Sequence, residues 1–598
     1  MIAKMKKLTL FVPENAREDF LFKLRSLGLV HIKHAVKPSR DEMTSLEGTI
    51  DQIKKVVSIF KGCCIPKEAE KIIWKTPEIP ERAREAAEAF SEREELLKNL
   101  QYLENRMEQF KPWGAFDPKD LHGFEGKGIA IRLYRTTKRL AQKLIQEKKD
   151  VYIINQDKQY AYVAQVCEAH AEGLSIEEVK FPQESFDEIY DKHETYKKKI
   201  EEIEDDLRAK ARASESLSKY LGVLEDRHAF LNVLYGMKEE AHFSYLQGFC
   251  PQESVKKVAE LAGQSSCGYF VEEPDDPEET PTLIRNPRWI NIISPVFKFM
   301  NTIPGYKECD ISFFFLTFFS LFFAILIGDA GYGIVFLAST MLARRKLKKA
   351  PAEPFFLMYV LSVATIIWGA ITGTWFGAEK IAQLPVLNSL VIDRINSFAA
   401  GNQDFMIYIC LVIAVVHLTI AHLIVTFRII NTLKALSEIG WLIILWALFF
   451  TAGTLLLNRP FPAIGKYLFA AGVALVFFFS NPPKDFVKGL PLTIMNLPLK
   501  TAGFFADIVS YLRLFAVSSA SFIIADMLTK GAQAMGASGF LASVGAAIVL
   551  VLGHLLNIVL GVLAVVVHGI RLNILEFSGH IGMEWTGKEY KPFSENGG

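Results

Sequence analysis

The sequence predicts two unlike parts: an α+β cytoplasmic arm of two α/β lobes joined by an antiparallel coiled coil, then an all-α polytopic membrane domain of about eight transmembrane helices. Three observations predict this. Composition divides sharply, rich in Lys and Glu to about residue 290 and dominated by Leu, Ile, Val, Phe, Ala and Gly from 311 to 580. The first part holds two long charged tracts with heptad-like apolar spacing. The second holds repeated apolar runs of about twenty residues, enough to cross a hydrocarbon core of ~30 Å. The net charge of +1 averages these two parts and gives no sign of nucleic-acid binding.

Residues 3–12 (AKMKKLTLFV) read as a strand, Pro13 to Leu27 as a helix opened by proline, and Gly28 to His34 as a second strand. Residues 42–110 are helical in pattern, as in EREELLKNLQYLENRMEQF, and 184–235 repeat that pattern. The segment between, 112–183, carries strand-like stretches (GIAIRLYR, DVYIINQ, AYVAQVCEA), so a distal lobe is expected at the far end of a coiled coil of 42–110 with 184–235. A further α/β unit in 236–275, AHFSYLQGFCPQESVKKVAELAG, returns to the first lobe, 1–40. The acidic, proline-rich EEPDDPEETPTLIRNP closes the arm near 290, and 291–310 link it to the membrane domain, 311–580, and a tail, 581–598. The N-terminus lacks the apolar core and cleavage site of a secretory signal, which predicts a cytoplasmic arm. Seven cysteines, among them the vicinal Cys63 and Cys64, show no metal or disulfide spacing and read as reduced thiols.

Six spans are expected at 355–377, 404–427, 439–457, 463–480, 501–530 and 541–575. The segment 311–343 would be ~50 Å long as one helix, too long for one span and short for two. Lys and Arg gather on the cytoplasmic side of short loops. The run Arg344, Arg345, Lys346, Lys348, Lys349 therefore shares a side with the arm, and 311–343 becomes a tight hairpin turning at IGDAGYG. Eight spans then also place Arg428, Lys434, Lys484, Lys488, Lys588 and Lys591 inside. IGDAGYG lacks the Lys and Ser/Thr of a phosphate loop, and no nucleotide, metal or catalytic motif appears elsewhere. The chain is expected to have no catalytic site, cofactor or metal of its own.

Arg513 and Arg571 lie inside apolar helices, where a charge costs roughly 3 kcal/mol on insertion scales and marks function. At 100° per residue, Gly553, Asn557, Gly561, Ala564, His568 and Arg571 share one face within about 80°. Gly503, Ser510, Arg513 and Ser521 share another, with Asp507 and Ser518 at its edge. His568 suits a proton relay or a neutral hydrogen bond, and His554 is a weaker candidate. His417 and His422 either line an aqueous path or satisfy interhelical hydrogen bonds. Glu438 and Glu576 are acidic mouths or interfacial charges.

The sequences SYLRLFAVSSA around Arg513 and HGIRLNILEF around Arg571, with IGDAGYG and the closing YKPF, resemble the large membrane subunit of V-type and archaeal-type rotary ATPases, subunit I in prokaryotes and a in eukaryotes. The likeness covers the whole chain. It implies a static ion channel beside a rotating proteolipid (c/K) ring, with Arg513 opposing the ring carboxylate, Arg571 supporting it, and two offset half-channels. It also implies peripheral-stalk subunits of E/G type bound to the arm, a central-stalk adaptor at the ring, and a prokaryotic cell membrane. Ser521 stands where a histidine is usual and Gly561 where a glutamate is usual, which moves the outer path to His554, Asn557 and His568. The rival readings are an ion-coupled secondary transporter, against which no internal repeat is visible, and a structural anchor, which leaves both arginines without purpose.

Overall fold

The computed structural model describes residues 1–33, 41–63, 72–114, 116–147, 150–157, 159–168, 171, 174, 176–179, 184–240, 242–399, 401–481, 486–536 and 539–595. His34, Cys64 and Lys484 lie outside them.

The chain opens with β1 (Met5–Pro13), whose Leu8, Leu10 and Val12 alternate into a core with Phe20, Leu21 and Leu24 of the helix Arg17–Leu27. That helix stops at Gly28, whose φ of +59° suits glycine and whose N–H bonds Leu24 and Arg25 carbonyls. β2 (His31–Lys33) follows. The sheet is completed from far along the chain by β6 (Lys238–Glu240), β7 (Phe243–Pro251) and β8 (Gly268–Glu272), in the order β2-β7-β1-β8 with β6 also on β7. A second, three-stranded sheet of order β3-β5-β4 uses β3 (Ile129–Thr137), β4 (Val151–Gln156) and β5 (Tyr160–Glu168).

Helices separate the two sheets. Asp41–Gly62 packs on Ser214–Tyr235, and Ile79–Phe110 packs on Phe186–Ala211. Both pairs are antiparallel: Glu42 meets Tyr235 at 2.8 Å and Lys54 meets Glu225 at 3.0 Å, while Glu85 meets Lys210 at 3.5 Å and Glu104 meets His193 at 3.6 Å. Ser185 opens the returning helix with a capping box, its Oγ accepting from the Glu188 N–H while that glutamate accepts from the Ser185 N–H.

The C-terminal half is helical. Among the described residues five helices are long and apolar enough to cross a membrane, six if a bent pair is one span. That pair is Ser312–Ile327 and Ala330–Lys346, which bend by 119° at Gly328–Asp329. The expected tight hairpin is therefore splayed. Ser312–Ile327 is apolar all round and accordingly sits in the centre, with Phe315, Phe319 and Phe322 in the core. Glu353–Thr372 presses against the start of Ala330–Lys346 so closely that a Cβ on Gly369 would lie 2.1 Å from the Ala330 nitrogen.

Two expected spans need correction. In place of 501–530 the structure has helix from Gly489 to Met535, 47 residues, broken only at Tyr511. Lys500 and the internal Pro491 and Pro498 hide its first half from an apolar-run reading. In place of 541–575 it has Phe540–Ile581, 42 residues. At 1.5 Å per residue both are about twice the thickness of a hydrocarbon core.

The tail closes the molecule. β10 (Lys588–Glu589) runs parallel to β9 (Pro281–Thr282), and Phe593 enters the core of the first sheet.

Candidate functional site

Arg513 stands just after the break at Tyr511, and Arg571 between two π-helical stretches, Val565–Gly569 and Leu572–Phe577. Both guanidiniums converge on one carboxylate. Glu576 Oε1 accepts from Arg513 Nη2 at 3.2 Å and lies 3.6 Å from Arg571 Nε. Ser510 Oγ donates to the same oxygen at 3.2 Å, and Arg513 Nε donates to the Ser510 carbonyl at 3.1 Å. The π geometry makes the second pair. Residues five apart lie about 140° apart on an α-helix, whereas i→i+5 bonding brings Arg571 and Glu576 to one side. It also ends the 100° count at Ala564, so Arg571 leaves the face of Asn557.

Burial is uneven. The Glu576 side chain is 5 % exposed, Arg513 29 % and Arg571 52 %. Among the described residues Glu576 Oε2 and His568 Nδ1 are buried without a hydrogen-bond partner. Glu576 is thus a buried carboxylate shared by both guanidiniums. Two fixed cations against one anion leave the site with a residual positive charge on its open side.

A second group lies further along the two long helices. Asn557 Nδ2 donates to the Tyr332 hydroxyl at 3.0 Å and the Ser521 carbonyl at 2.9 Å, while Ser521 Oγ donates to Asn557 Oδ1 at 3.2 Å. Tyr332 also bonds His554 Nδ1 at 2.7 Å. So His554, Asn557 and Ser521 are brought together, by a tyrosine from IGDAGYG. The aspartate of that motif organises the turn: Asp329 Oδ1 accepts the N–H groups of Gly331, Tyr332 and Phe376, and Oδ2 that of Gly377. The loop carries its own anion where a phosphate loop would hold a ligand.

A third group joins four elements. Glu438 Oε2 is 3.2 Å from His422 Nδ1, His422 Nε2 is 3.0 Å from His580 Nδ1, and His580 Nε2 is 3.0 Å from Asp507 Oδ2. His417 is not part of it. Fully buried, it stacks between Phe318 and Phe577 at 3.8 and 4.2 Å and bonds the Tyr511 hydroxyl at 2.8 Å.

Sequence reasoning missed Tyr332, Tyr511 and His580. The first two are aromatic residues in apolar context, and His580 lies beyond the last apolar run, in FSGHIG. Only their contacts reveal them.

Fixed guanidiniums and hydrogen-bonded titratable side chains inside long apolar helices define a polytopic membrane protein of ion-transport type. No family model matches the chain. It is 32 % identical over 629 aligned residues to the V-type ATP synthase subunit I of Borreliella burgdorferi, each chain being covered in full. It is 29 % identical over 628 residues to subunit I 1 of the V-type ATP synthase of Treponema pallidum, again in full. The A-type ATP synthase subunit I of Methanocaldococcus jannaschii is 25 % identical over 391 residues, 59 % of this chain and 55 % of that one. The chain belongs to the subunit I family of V-type and A-type ATP synthases, and so is a subunit of a rotary ATPase.

Proposed function

We propose that the chain is the static membrane subunit of its rotary ATPase, forming two ion half-channels against a proteolipid ring and coupling ion translocation to ATP hydrolysis or synthesis. The residual positive charge at Arg513, Arg571 and Glu576 carries this reading. A ring carboxylate arriving there is held ionised by the fixed cations, so it releases its ion and cannot pass while protonated. Arg513 is the gate and Arg571 its support. Glu576 holds both guanidiniums in place between encounters. The Tyr332, His554, Asn557 and Ser521 group serves the outer path. Glu438, His422 and Asp507 serve the inner one, with His568 between the two.

The proposed organisation is an arm, 1–290, a linker, 291–310, a membrane domain of eight spans, 311–580, and a tail, 581–598. Counting both members of the bent pair and the 17-residue helix Ala463–Phe479 brings the helical segments to eight. The β9–β10 pairing supports an even number, since the chain must leave the membrane on the side it entered. That side is cytoplasmic by the positive charge of its loops. The arm, with its helix pairs as a coiled coil, holds the peripheral stalks and resists torque.

The test is Arg513→Ala and Arg513→Lys in membranes containing the assembled complex, with ATP-driven ion uptake and co-purification of the proteolipid measured separately. Uptake is lost in Arg513→Ala while the proteolipid is retained. Uptake that persists in Arg513→Ala refutes the gate.

A further inference from the structure

We propose that Glu438, His422, His580 and Asp507 form a proton wire, which makes the translocated ion a proton and His580 one of its carriers; this rests on the channel reading above. The geometry is a line, not a cage. Both imidazoles are buried, His422 at 3 % and His580 at 4 % exposure, while Glu438 and Asp507 at the ends are open at 27 % and 36 %. Phe504 walls the line, its ring centroid 5.2 Å from that of His422 and 4.4 Å from that of His580. Lys500, on the same helix as Phe504 and Asp507, extends over Trp441 rather than into the line.

Counting hydrogens gives the mechanism. Three links need three protons, and two neutral imidazoles bring two. The line closes only with one more, which is the mobile one. With Glu438 protonated, His422 and His580 both carry hydrogen on Nε2 and accept at Nδ1. One concerted shift then breaks the Glu438 O–H, His422 Nε2–H and His580 Nε2–H bonds. It forms His422 Nδ1–H, His580 Nδ1–H and Asp507 O–H. One proton has moved from Glu438 to Asp507 with no atom crossing the wall. Asp507 passes it to the ring side, each imidazole turns by about 180° so that its unprotonated nitrogen again faces the Glu438 end, and Glu438 is reprotonated from its open face.

Among the described residues no three His, Cys, Asp or Glu side chains converge as metal ligands, and the two central positions of the line offer ring nitrogens already engaged in it.

The experiment uses inverted membrane vesicles with the assembled complex, following ATP-driven uptake with a pH-sensitive dye and with radioactive sodium. His580→Gln and His422→Gln should lower proton uptake at least tenfold with the proteolipid still co-purifying, and His580→Glu, which restores a titratable group, should recover part of it. Should His580→Gln disturb assembly, Glu438→Gln at the exposed end must give the same fall. Unchanged proton uptake in these variants, or uptake carried by sodium, overturns the wire. Arg513→Ala in parallel separates the two claims. If it abolishes uptake while His580→Gln does not, the wire alone fails, and if it pumps, the underlying channel reading fails.

Discussion

Phe593→Ala tests how the tail is held. Its ring is buried, stacks 6.3 Å from that of Phe230, and lies 5.9 Å beneath the Arg25 guanidinium, itself paired with Asp226 at 3.1 Å. The neighbouring backbone is fixed too: the Phe593 N–H donates to the Val30 carbonyl at 2.8 Å and the Tyr590 hydroxyl to the Leu29 carbonyl at 2.6 Å. Truncating a buried phenylalanine costs about 3–5 kcal/mol. The lower figure applies here, because Phe593 lies at the edge of the core, 7 % exposed, where the surroundings relax more easily than around an interior helix. A loss of about 3 kcal/mol is a factor of about 100 in the docked population. Hydrogen exchange of the Tyr590 and Phe593 amides reads that population directly, since each opens with the tail. Protection should fall about 100-fold in Phe593→Ala and much less in Phe593→Leu, which keeps most of the volume. Equal protection in wild type and Phe593→Ala would show that the ring does not hold the tail.

Other outcomes follow from single contacts. Glu576→Gln leaves two guanidiniums without their counter-ion; discounted for the exposure of both arginines, the loss is about 1–2 kcal/mol, read as a lower unfolding temperature in detergent. Gly369→Ala puts a Cβ into the Ala330 backbone and should cost about 3 kcal/mol, the top of the overpacking range, visible in the same thermal assay. Burial pushes the Cys250 thiol up to about 11 from an ordinary 9.0, so at pH 8 its thiolate is about 100-fold scarcer than usual. Alkylation of Cys250 should therefore be slow at pH 8 and become fast on unfolding, as mass spectrometry of the labelled peptide will register.

Much of the architecture is legible in local pattern. β1 alternates and Gly28 follows the first helix, because each signal is confined to a few residues. The arginines are legible for a different reason: charge in an apolar run stands out at any register. Their mutual counter-ion is not. Glu576 falls on the wrong side of an α-helix, and nothing in NILEF announces π geometry. The length of Gly489–Met535 is hidden likewise, since its first half mixes prolines and a lysine with apolar residues and is held by packing. The Glu438, His422, His580 and Asp507 line joins positions up to 158 residues apart within one link, which periodicity cannot see.

Cross-linking tests the central claim most directly. Ala516 and Ala520 follow Arg513 on the exposed side of its helix and are small. A cysteine at Ala520, paired with a cysteine one turn from the carboxylate of the proteolipid, should form a disulfide on mild oxidation of assembled membranes and stop ATP-driven uptake until reduced. A chain that assembles yet forms no such bond from either Ala516 or Ala520, while pumping normally under oxidation, would contradict the placement of Arg513 against the ring.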